Sequence, residues 1–349
     1  MKPALAFLLL ALAASPQDKS VPKELQDKIN KAIDKGVKYL KGRVAAGNPE
    51  GKRTFEEKRP LIALALMKSG VKKEDAQIQA IKREMLAAAD KKLAGIDAFS
   101  QMYQAGIMAM ALAEFEDAPS KKAVQEIANL VGRSQLASGS WGYTVGTPDK
   151  RDNASTAQYA LLALQAAANR GCALPEGAIA QAARYFLGMQ RPDGGWTYHG
   201  NIAKEQPHGS VSAIGVASLV ICRSNLGPGH ELTGKIDAAI AKGLEWLGKN
   251  FSASEHPGKT PWQGAKDALW LYYYLYSVER AGMFARVEKM GAHDWYAEGA
   301  EFLVRKQRAN GSWEQTHERH EDDDIATCFA LLFLARASGG MIPTEPAKK

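Results

Sequence analysis

The chain has 349 residues, of which 46% are hydrophobic and 24% are charged, and its formal net charge is +7. This composition excludes an intrinsically disordered or fibrous chain and allows one large globular domain or two small ones. Lysines and acidic residues alternate along the chain, and the longest basic clusters are pairs. The positive charge therefore indicates solvated helix faces rather than a nucleic-acid-binding surface.

Residues 1–14 have the pattern of a secretory signal peptide. Lys2 precedes an apolar run from Ala4 to Ala14, and Ala11-Leu12-Ala13 matches a small-residue cleavage site. We therefore expect a secreted, periplasmic or cell-envelope protein, with a short membrane anchor as the alternative. No later segment is apolar enough over a sufficient length to predict a transmembrane helix in the mature chain.

Two kinds of helix alternate along the rest of the sequence. Amphipathic segments such as residues 23–40 have apolar residues at intervals of three and four, which predicts helices with one buried face. The other segments are apolar nearly all round and rich in Ala and Leu, which predicts helices buried on both sides. These inner helices are predicted at residues 54–69, 99–115, 153–169, 209–223, 262–281 and 323–337.

A Gln-xxx-Gly-x-Trp motif follows three of the amphipathic segments. Its members are Gln135, Gly139 and Trp141; Gln190, Gly194 and Trp196; and Gln307, Gly311 and Trp313. A degenerate unit near residue 250 divides the longer gap, so the period is close to 50 residues, which is typical of a repeat architecture. Because one motif recurs at matching places, we interpret it as a structural clamp at the end of each outer helix rather than a catalytic site.

Six helix pairs predict an all-α fold in which six apolar helices form an inner ring and six amphipathic helices form an outer ring. Closure of the two rings would give an α/α toroid occupying residues 22–340 as one domain. No segment has the strict alternation that predicts a β-strand.

The repeated motif resembles that of the squalene–hopene cyclase and protein-prenyltransferase superfamily, whose members are α/α toroids that act on isoprenoids. The resemblance extends over essentially the whole mature chain. The segment that starts at Asp152 is also similar to exported, single-toroid bacterial proteins known as prenyltransferase and squalene-oxidase repeat proteins. The resemblance implies the toroid fold strongly, whereas activity must be inferred from the site itself.

The zinc site of protein prenyltransferases is not matched. By the resemblance, its Asp-x-Cys segment corresponds to Asp267-Ala268-Leu269 and its histidine ligand to Ala326, so the thiolate and the imidazole are both replaced. We therefore expect no metal and no cofactor, and any enzymatic activity is expected to be terpenoid-cyclase-like rather than protein prenylation.

The acidic motif of class II terpenoid cyclases has a partial match at Glu321, Asp322, Asp323 and Asp324. By the resemblance, Asp323 would be the general acid, and Asp324 and Glu321 beside it would raise its pKa and keep it protonated. Glu replaces the first Asp of the motif, and Ile325 replaces a Thr. The simpler alternative is that these carboxylates cap the first turn of an inner helix.

Five residues are candidates to line a central cavity: Trp262, Tyr103, Tyr159, His208 and Phe329. Aromatic rings could stabilise a cationic intermediate or contact an apolar ligand, and the alternative is ordinary core packing. His317 and His320 precede the acidic motif, but we interpret their segment as a solvated loop and predict no metal site. Cys172 and Cys222 are predicted to form a disulfide at one rim of the toroid, which would leave Cys328 as a buried free thiol.

These patterns predict an exported toroid with an apolar central cavity that binds or processes an isoprenoid-like lipid. Two alternatives remain open. One is a non-catalytic envelope scaffold or binding module, which would use the rim of the toroid to bind an envelope partner. The other is a carbohydrate-active toroid enzyme, which would need two carboxylates facing each other across a cleft.

Overall fold

Alternating amphipathic and apolar helices make up the computed structural model, which describes residues 21–47, 53–149, 151–198, 206–258, 269–316 and 322–343. Within these ranges the chain forms twelve α-helices and no β-strand. The predicted signal peptide, Trp262, Asp267, Ala268 and Glu321 lie outside the described residues, and so do His317 and His320.

The odd-numbered helices form the outer ring and the even-numbered helices form the inner ring. The outer helices are α1 (Lys23–Ala46), α3 (Ala76–Asp90), α5 (Ala118–Arg133), α7 (Ala178–Met189), α9 (Thr233–Asn250) and α11 (Trp295–Lys306). The inner helices are α2 (Arg53–Lys68), α4 (Gln101–Ala113), α6 (Ala154–Asn169), α8 (Gly209–Leu226), α10 (Leu271–Ala285) and α12 (Asp323–Leu334).

Burial follows the two kinds of sequence pattern. In α1, the buried residues form one stripe of Leu25, Ile29, Ala32, Gly36, Leu40 and Val44. In α6, every residue from Ala154 to Ala167 is buried, because this helix is covered on all sides by its neighbours. Helix α8 is long and apolar enough to span a membrane, but 72% of it is buried inside the protein, so packing accounts for its composition.

Both rings close. Each inner helix packs against the next, and α12 packs against α2, so the last repeat contacts the first. In the outer ring, α1 packs against α11 as well as against α12. The predicted closed toroid of six helix pairs is therefore confirmed.

The glutamine of each repeated motif links two neighbouring repeats. Its side-chain amide donates to the carbonyl of the motif's own glycine and to a carbonyl in the next outer helix. Gln135 donates to Gly139 and Ala178, Gln190 to Gly194 and Ala239, and Gln307 to Gly311 and Ala32, at 2.8–3.0 Å. Because Ala32 belongs to α1, the third glutamine joins the last repeat to the first.

The tryptophan and glycine complete this clamp. Trp141, Trp196 and Trp313 are fully buried, and each indole Nε1 donates to the carbonyl ten residues earlier in its own outer helix, at 2.8–2.9 Å. The motif glycines have positive φ, as at Gly194 (φ +95°), where a Cβ would also meet the carbonyl oxygen of Lys242 at 2.5 Å. The motif therefore needs glycine both for its turn and for close approach to the next helix.

The inner helices match their predicted bounds to within three residues, apart from the fifth. The fifth was predicted at 262–281, but it begins at Leu271 because Trp270 has a left-handed backbone (φ +60°), which a right-handed helix cannot contain. The sixth was predicted to reach residue 337, but it ends at Leu334, just before Arg336, whose φ is +48°.

The segment 335–343 crosses one end of the ring. Met341 accepts hydrogen bonds from Asn169 (2.8 Å) and Gln165 (3.2 Å) on α6, which lies opposite α12 in the ring. Ser338 is anchored to the buried Glu279 of α10, to which its backbone N–H and its hydroxyl donate at 2.9 and 2.7 Å. This segment therefore covers the end of the ring where the inner helices finish.

The predicted disulfide between Cys172 and Cys222 is not formed. All three cysteines are free thiols, and Cys222 is fully buried within α8. The Sγ of Cys172 instead points to the carbonyl of Lys121 on the outer helix α5, at 3.8 Å. Both residues belong to the same end of neighbouring inner helices, as predicted, but the loop turns Cys172 outward.

Candidate functional site

A group of aromatic and polar side chains meets at the centre of the inner ring. We call it the central cluster, and it consists of Tyr103 from α4, Gln158 and Tyr159 from α6, Tyr273, Tyr276 and Arg280 from α10, and Phe329 from α12. Three of the five residues predicted to line a cavity, Tyr103, Tyr159 and Phe329, belong to it.

Arg280 reaches across the centre of the ring. Its Nη2 donates to the Oε1 of Gln158 at 2.9 Å, and to the hydroxyl of Ser277 at 3.2 Å. Helices α10 and α6 are separated in the ring by α8, so the contact between Arg280 and Gln158 spans the interior rather than joining neighbouring helices. The two bonds hold the guanidinium at a defined position on the axis.

Tyrosine rings surround this guanidinium. Its central carbon lies 4.1 Å from the centroid of Tyr276, 5.7 Å from Tyr159 and 5.9 Å from Tyr273. Aromatic faces attract cations by about 2 kcal/mol when the pair is shielded from water. The rings therefore offset part of the cost of burying this charge.

The remaining rings extend the cluster to α4 and α12. Tyr103 meets Tyr159 edge to face at 5.1 Å between centroids, and its hydroxyl lies 2.7 Å from the hydroxyl of Ser155. Phe329 stacks on Tyr276 at 5.7 Å and contacts Tyr273 at 5.6 Å. Tyr103 and Tyr273 retain part of their accessible surface, which gives the cluster an open side.

The phenols of the cluster are neutral at physiological pH. Burial raises the pKa of Tyr103 and of Tyr273 well above the ordinary value, and it also raises the pKa of Tyr276 and Tyr159. The tyrosines therefore act as hydrogen-bonding groups and as apolar surfaces, and Arg280 remains the charged member of the cluster.

Several buried polar atoms at this site lack a hydrogen-bond partner among the described residues. They are Nε and Nη1 of Arg280, Nε2 of Gln158 and the hydroxyl of Tyr273. Buried polar groups are nearly always paired, so such a concentration at one place is unusual for a core. The centre of the inner ring is thus polar and cationic rather than uniformly apolar.

Sequence reasoning missed Arg280, although a signal was present. Glu279 and Arg280 directly follow an uncharged, largely apolar run, residues 268–278, in a segment that was predicted to be buried on both sides. Charged residues are rarely buried fully without a reason, so this pair could have been singled out.

His208, the fourth candidate in the described chain, belongs to a separate histidine pair. It precedes α8, and its ring lies 4.0 Å from that of His256. His256 accepts from the backbone N–H of Ser210 at 3.0 Å and pairs with the carbonyl of Leu269 at 2.7 Å. Burial, and then the nearby His208, lower the pKa of His256 well below its usual value. This pair joins the start of α8 to the chain that precedes α10.

The acidic motif lies at the outer side of the start of α12. Asp322 is the N-cap of that helix and accepts from the backbone N–H of Ile325 at 3.0 Å. Asp323, the residue matched to the general acid, accepts from Arg308 Nη1 at 2.7 Å and from the backbone N–H of Gln315 at 3.0 Å. Asp323 is therefore bound to the loop that follows the third repeated motif.

Asp324 is buried in an ion-pair cluster. Its carboxylate accepts from Arg43 Nε at 3.0 Å, from the Tyr39 hydroxyl at 3.0 Å and from Lys58 Nζ at 3.1 Å, and Lys58 also pairs with Asp322. Burial opposes ionisation, but the hydrogen bond from Arg43 and the charge of Lys58 outweigh it, so the pKa of Asp324 is lowered. Cations surround Asp324, so this carboxylate is held in its ionised form.

A small recess lies where the inner helices end. It has a volume of about 40 Å³, and its lining includes Lys68, Glu114, Asn169, Met341 and Tyr276 of the central cluster. Such a volume holds a few water molecules rather than a lipid chain. The covering segment 335–343 thus leaves little room at this end of the ring.

No group of three or more histidine, cysteine, aspartate or glutamate side chains in the described part of the chain is arranged to hold a metal ion. The expectation that the chain binds no metal and no cofactor therefore stays a prediction.

Two solved structures show what this fold is similar to. The apo type II terpene cyclase MstE from Scytonema matches over 91% of this chain and 99% of its own, with a TM-score of 0.55 and 13% identity. A possible member of the GH105 family from Salmonella enterica serovar Paratyphi A matches over 91% and 96%, with a TM-score of 0.58 and 15% identity. At such low identity, both similarities establish the α/α-toroid fold and nothing finer.

No protein-family model matches the chain. No curated protein matches it either.

Proposed function

We propose that this protein is an exported, cell-envelope member of the terpenoid-cyclase and prenyltransferase superfamily, and that it binds an isoprenoid-like lipid inside its toroid. The observation that carries the proposal is the convergence of tyrosine and phenylalanine rings from α4, α6, α10 and α12 at the ring axis. Flat aromatic faces pack well against the branched, unsaturated chain of an isoprenoid.

The ligand enters from the end of the ring where the inner helices begin. The opposite end is covered by residues 335–343, which are tied to Asn169 and Glu279. Tyr103 and Tyr273, the partly exposed members of the central cluster, stand early in their helices. Their surface therefore faces the entrance.

Binding fits this centre better than cyclisation. A cyclase must stabilise a carbocation, and a guanidinium on the axis would repel one. The carboxylates of α10 and α12 are directed elsewhere: Glu279 binds Ser338, Asp323 binds Arg308, and Asp324 binds Arg43 and Lys58. The same contacts do not favour a carbohydrate enzyme, which needs two carboxylates that face its substrate.

The test is mass spectrometry of lipids that co-purify with the exported protein, followed by titration with farnesol monitored by intrinsic fluorescence. Asp323→Asn should retain the lipid and its affinity, since Asp323 holds an outer loop. Tyr159→Leu, which removes a central ring but preserves apolar volume, should weaken binding by about tenfold. Tyr185→Leu on the outer helix α7 is the matched control and should bind as the wild type does.

Two results would contradict the proposal. One is the absence of any isoprenoid in the purified protein together with no response to farnesol. The other is turnover of an isoprenoid that Asp323→Asn abolishes, which would make the protein a cyclase.

A further inference from the structure

Given the proposed internal lipid site, we propose that the bound lipid carries a carboxylate head group, which Arg280 recognises at the ring axis. Arg280 is fully buried, and its Nη2 is held by Gln158 and Ser277. Its Nε and Nη1 have no hydrogen-bond partner in the described chain. The residue is therefore fixed in place by one nitrogen and offers the other two.

The neighbouring unpaired atoms have the same polarity. Nε2 of Gln158 is a donor, and the hydroxyl of Tyr273 can donate. The amide oxygen of Gln158 already accepts from Arg280 at 2.9 Å, so the group that Gln158 leaves unpaired at the centre of the ring is its amide nitrogen. A group that satisfies all of these atoms must be an acceptor, and a carboxylate accepts several hydrogen bonds at once.

The positive charge at the centre of the ring also favours a ligand that carries a single negative charge. Glu279 is adjacent to Arg280 in sequence, but its carboxylate accepts from the backbone N–H and hydroxyl of Ser338 at the covered end of the ring. The phenols of Tyr276 and Tyr159 interact electrostatically with Arg280 and are neutral. Glu279 interacts electrostatically with Arg280, but burial raises its pKa to about 7, so it offsets the charge of the guanidinium only in part at neutral pH. The remaining positive charge matches a monoanion better than a diphosphate, which carries more charge than this centre can neutralise.

The rings place the head group and the lipid chain in one site. Tyr276 lies 4.1 Å from the guanidinium carbon and also stacks on Phe329. Tyr159 contacts both Arg280 and Tyr103. A carboxylate at Arg280 therefore leaves its chain running along Tyr103 and Tyr159 toward the entrance.

The experiment compares farnesoic acid, farnesol and farnesyl diphosphate as ligands of the full-length exported protein. Farnesoic acid should bind wild type at least about tenfold more tightly than farnesol, because a charge-assisted hydrogen bond in a buried site has that effect. Arg280→Met should abolish this preference, which is read as the ratio of the two affinities rather than as either affinity alone. Tyr273→Phe, which removes one hydroxyl, should lower the same ratio, and it serves if Arg280→Met does not fold.

The matched control is Arg286→Met, since Arg286 directly follows the same helix but donates to the carbonyls of Ile342 and Pro343. It should bind acid and alcohol as the wild type does. Equal affinities of the wild type for acid and alcohol would overturn this inference and leave the proposed lipid binding intact. Tighter binding of the diphosphate would overturn the choice of a carboxylate, whereas no binding of any of the three would contradict the proposed function itself.

Discussion

Replacing Asp324 by asparagine removes the negative charge that joins the first repeat to the last. The carboxylate is buried on α12 and is bound by Arg43 and Tyr39 of α1 and by Lys58 of α2. An asparagine of the same shape keeps one acceptor oxygen, for Tyr39, but it leaves Lys58 with Asp322 as its only carboxylate partner and weakens the bond from Arg43. Breaking a buried ion pair costs about 3–5 kcal/mol, and we expect about 3 kcal/mol because part of the hydrogen bonding survives.

The loss is measured by urea unfolding and by thermal melting. For a chain of this size, 1 kcal/mol shifts the melting temperature by about 2 °C, so Asp324→Asn should melt roughly 6 °C lower. Hydrogen exchange should rise in α1, because this helix loses a contact that holds it to α12. Glu84→Gln is the matched control: Glu84 pairs with Arg59 between α3 and α2 but is half exposed, so its loss should cost under about 1 kcal/mol.

The effect of Asp324→Asn should depend on pH in one direction. The pKa of Asp324 is lowered in the folded protein from its ordinary value of 3.8. The stabilisation that Asp324 gives the fold is therefore complete above pH 3.8, and it is lost as the pH falls through the lower pKa of the folded state. Wild type and variant should therefore differ fully at pH 7 and converge under strongly acidic conditions. A difference below about 0.5 kcal/mol at pH 7, or unchanged exchange in α1, would refute the role of this cluster in ring closure.

Substitutions at two further positions test other parts of the fold. Glu279 is buried, and burial is the main reason why its pKa is raised to about 7. Its contribution to the free energy of unfolding is therefore complete below pH 4.5, the ordinary pKa of a glutamate, and is lost as the pH rises through about 7. The Glu279→Gln variant can still bind Ser338. It should be more stable than wild type by up to about 3 kcal/mol at pH 8 and equally stable near pH 4. A difference in stability that is independent of pH would contradict this prediction. Gln190→Leu removes the hydrogen bonds to Gly194 and Ala239, and it should lower the free energy of unfolding in urea by about 2 kcal/mol. Gln190→Glu should be at least as destabilising. Wild-type stability in both variants would show that the clamp does not stabilise the fold.

Much of the architecture follows from patterns that are local in the sequence. The stripe of Leu25, Ile29 and Leu40 in α1 and the all-round apolar surface of α6 distinguish an outer from an inner helix without any knowledge of their neighbours. The Gln-xxx-Gly-x-Trp turn is also local, since its glycine φ and its tryptophan bond involve residues within ten positions. The resemblance to known toroids rests on these same features.

The side-chain partners of the candidate site depend on contacts between distant residues. Arg280 meets Gln158 across 122 positions, and Asp324 meets Lys58 across 266. Which residues meet depends on where each helix begins, and a left-handed residue at Trp270 moved the start of α10 by nine positions from the predicted 262 to 271. The contacts of α10 across the ring therefore could not be inferred from the predicted bounds.

The sequence by itself therefore determined the helix types, their order, the repeat and the clamp motif at the end of the outer helices. Periodic burial and turn geometry are set by each residue and its near neighbours, so they can be inferred locally. Only the tertiary structure decided that Asp324 is ion-paired between the first and last repeats, that Cys172 and Cys222 form no disulfide, and that Arg280 lies at the axis of the ring. The charge state and partners of a buried group depend on what the rest of the chain brings against it, and ring closure brings together residues from opposite ends of this chain.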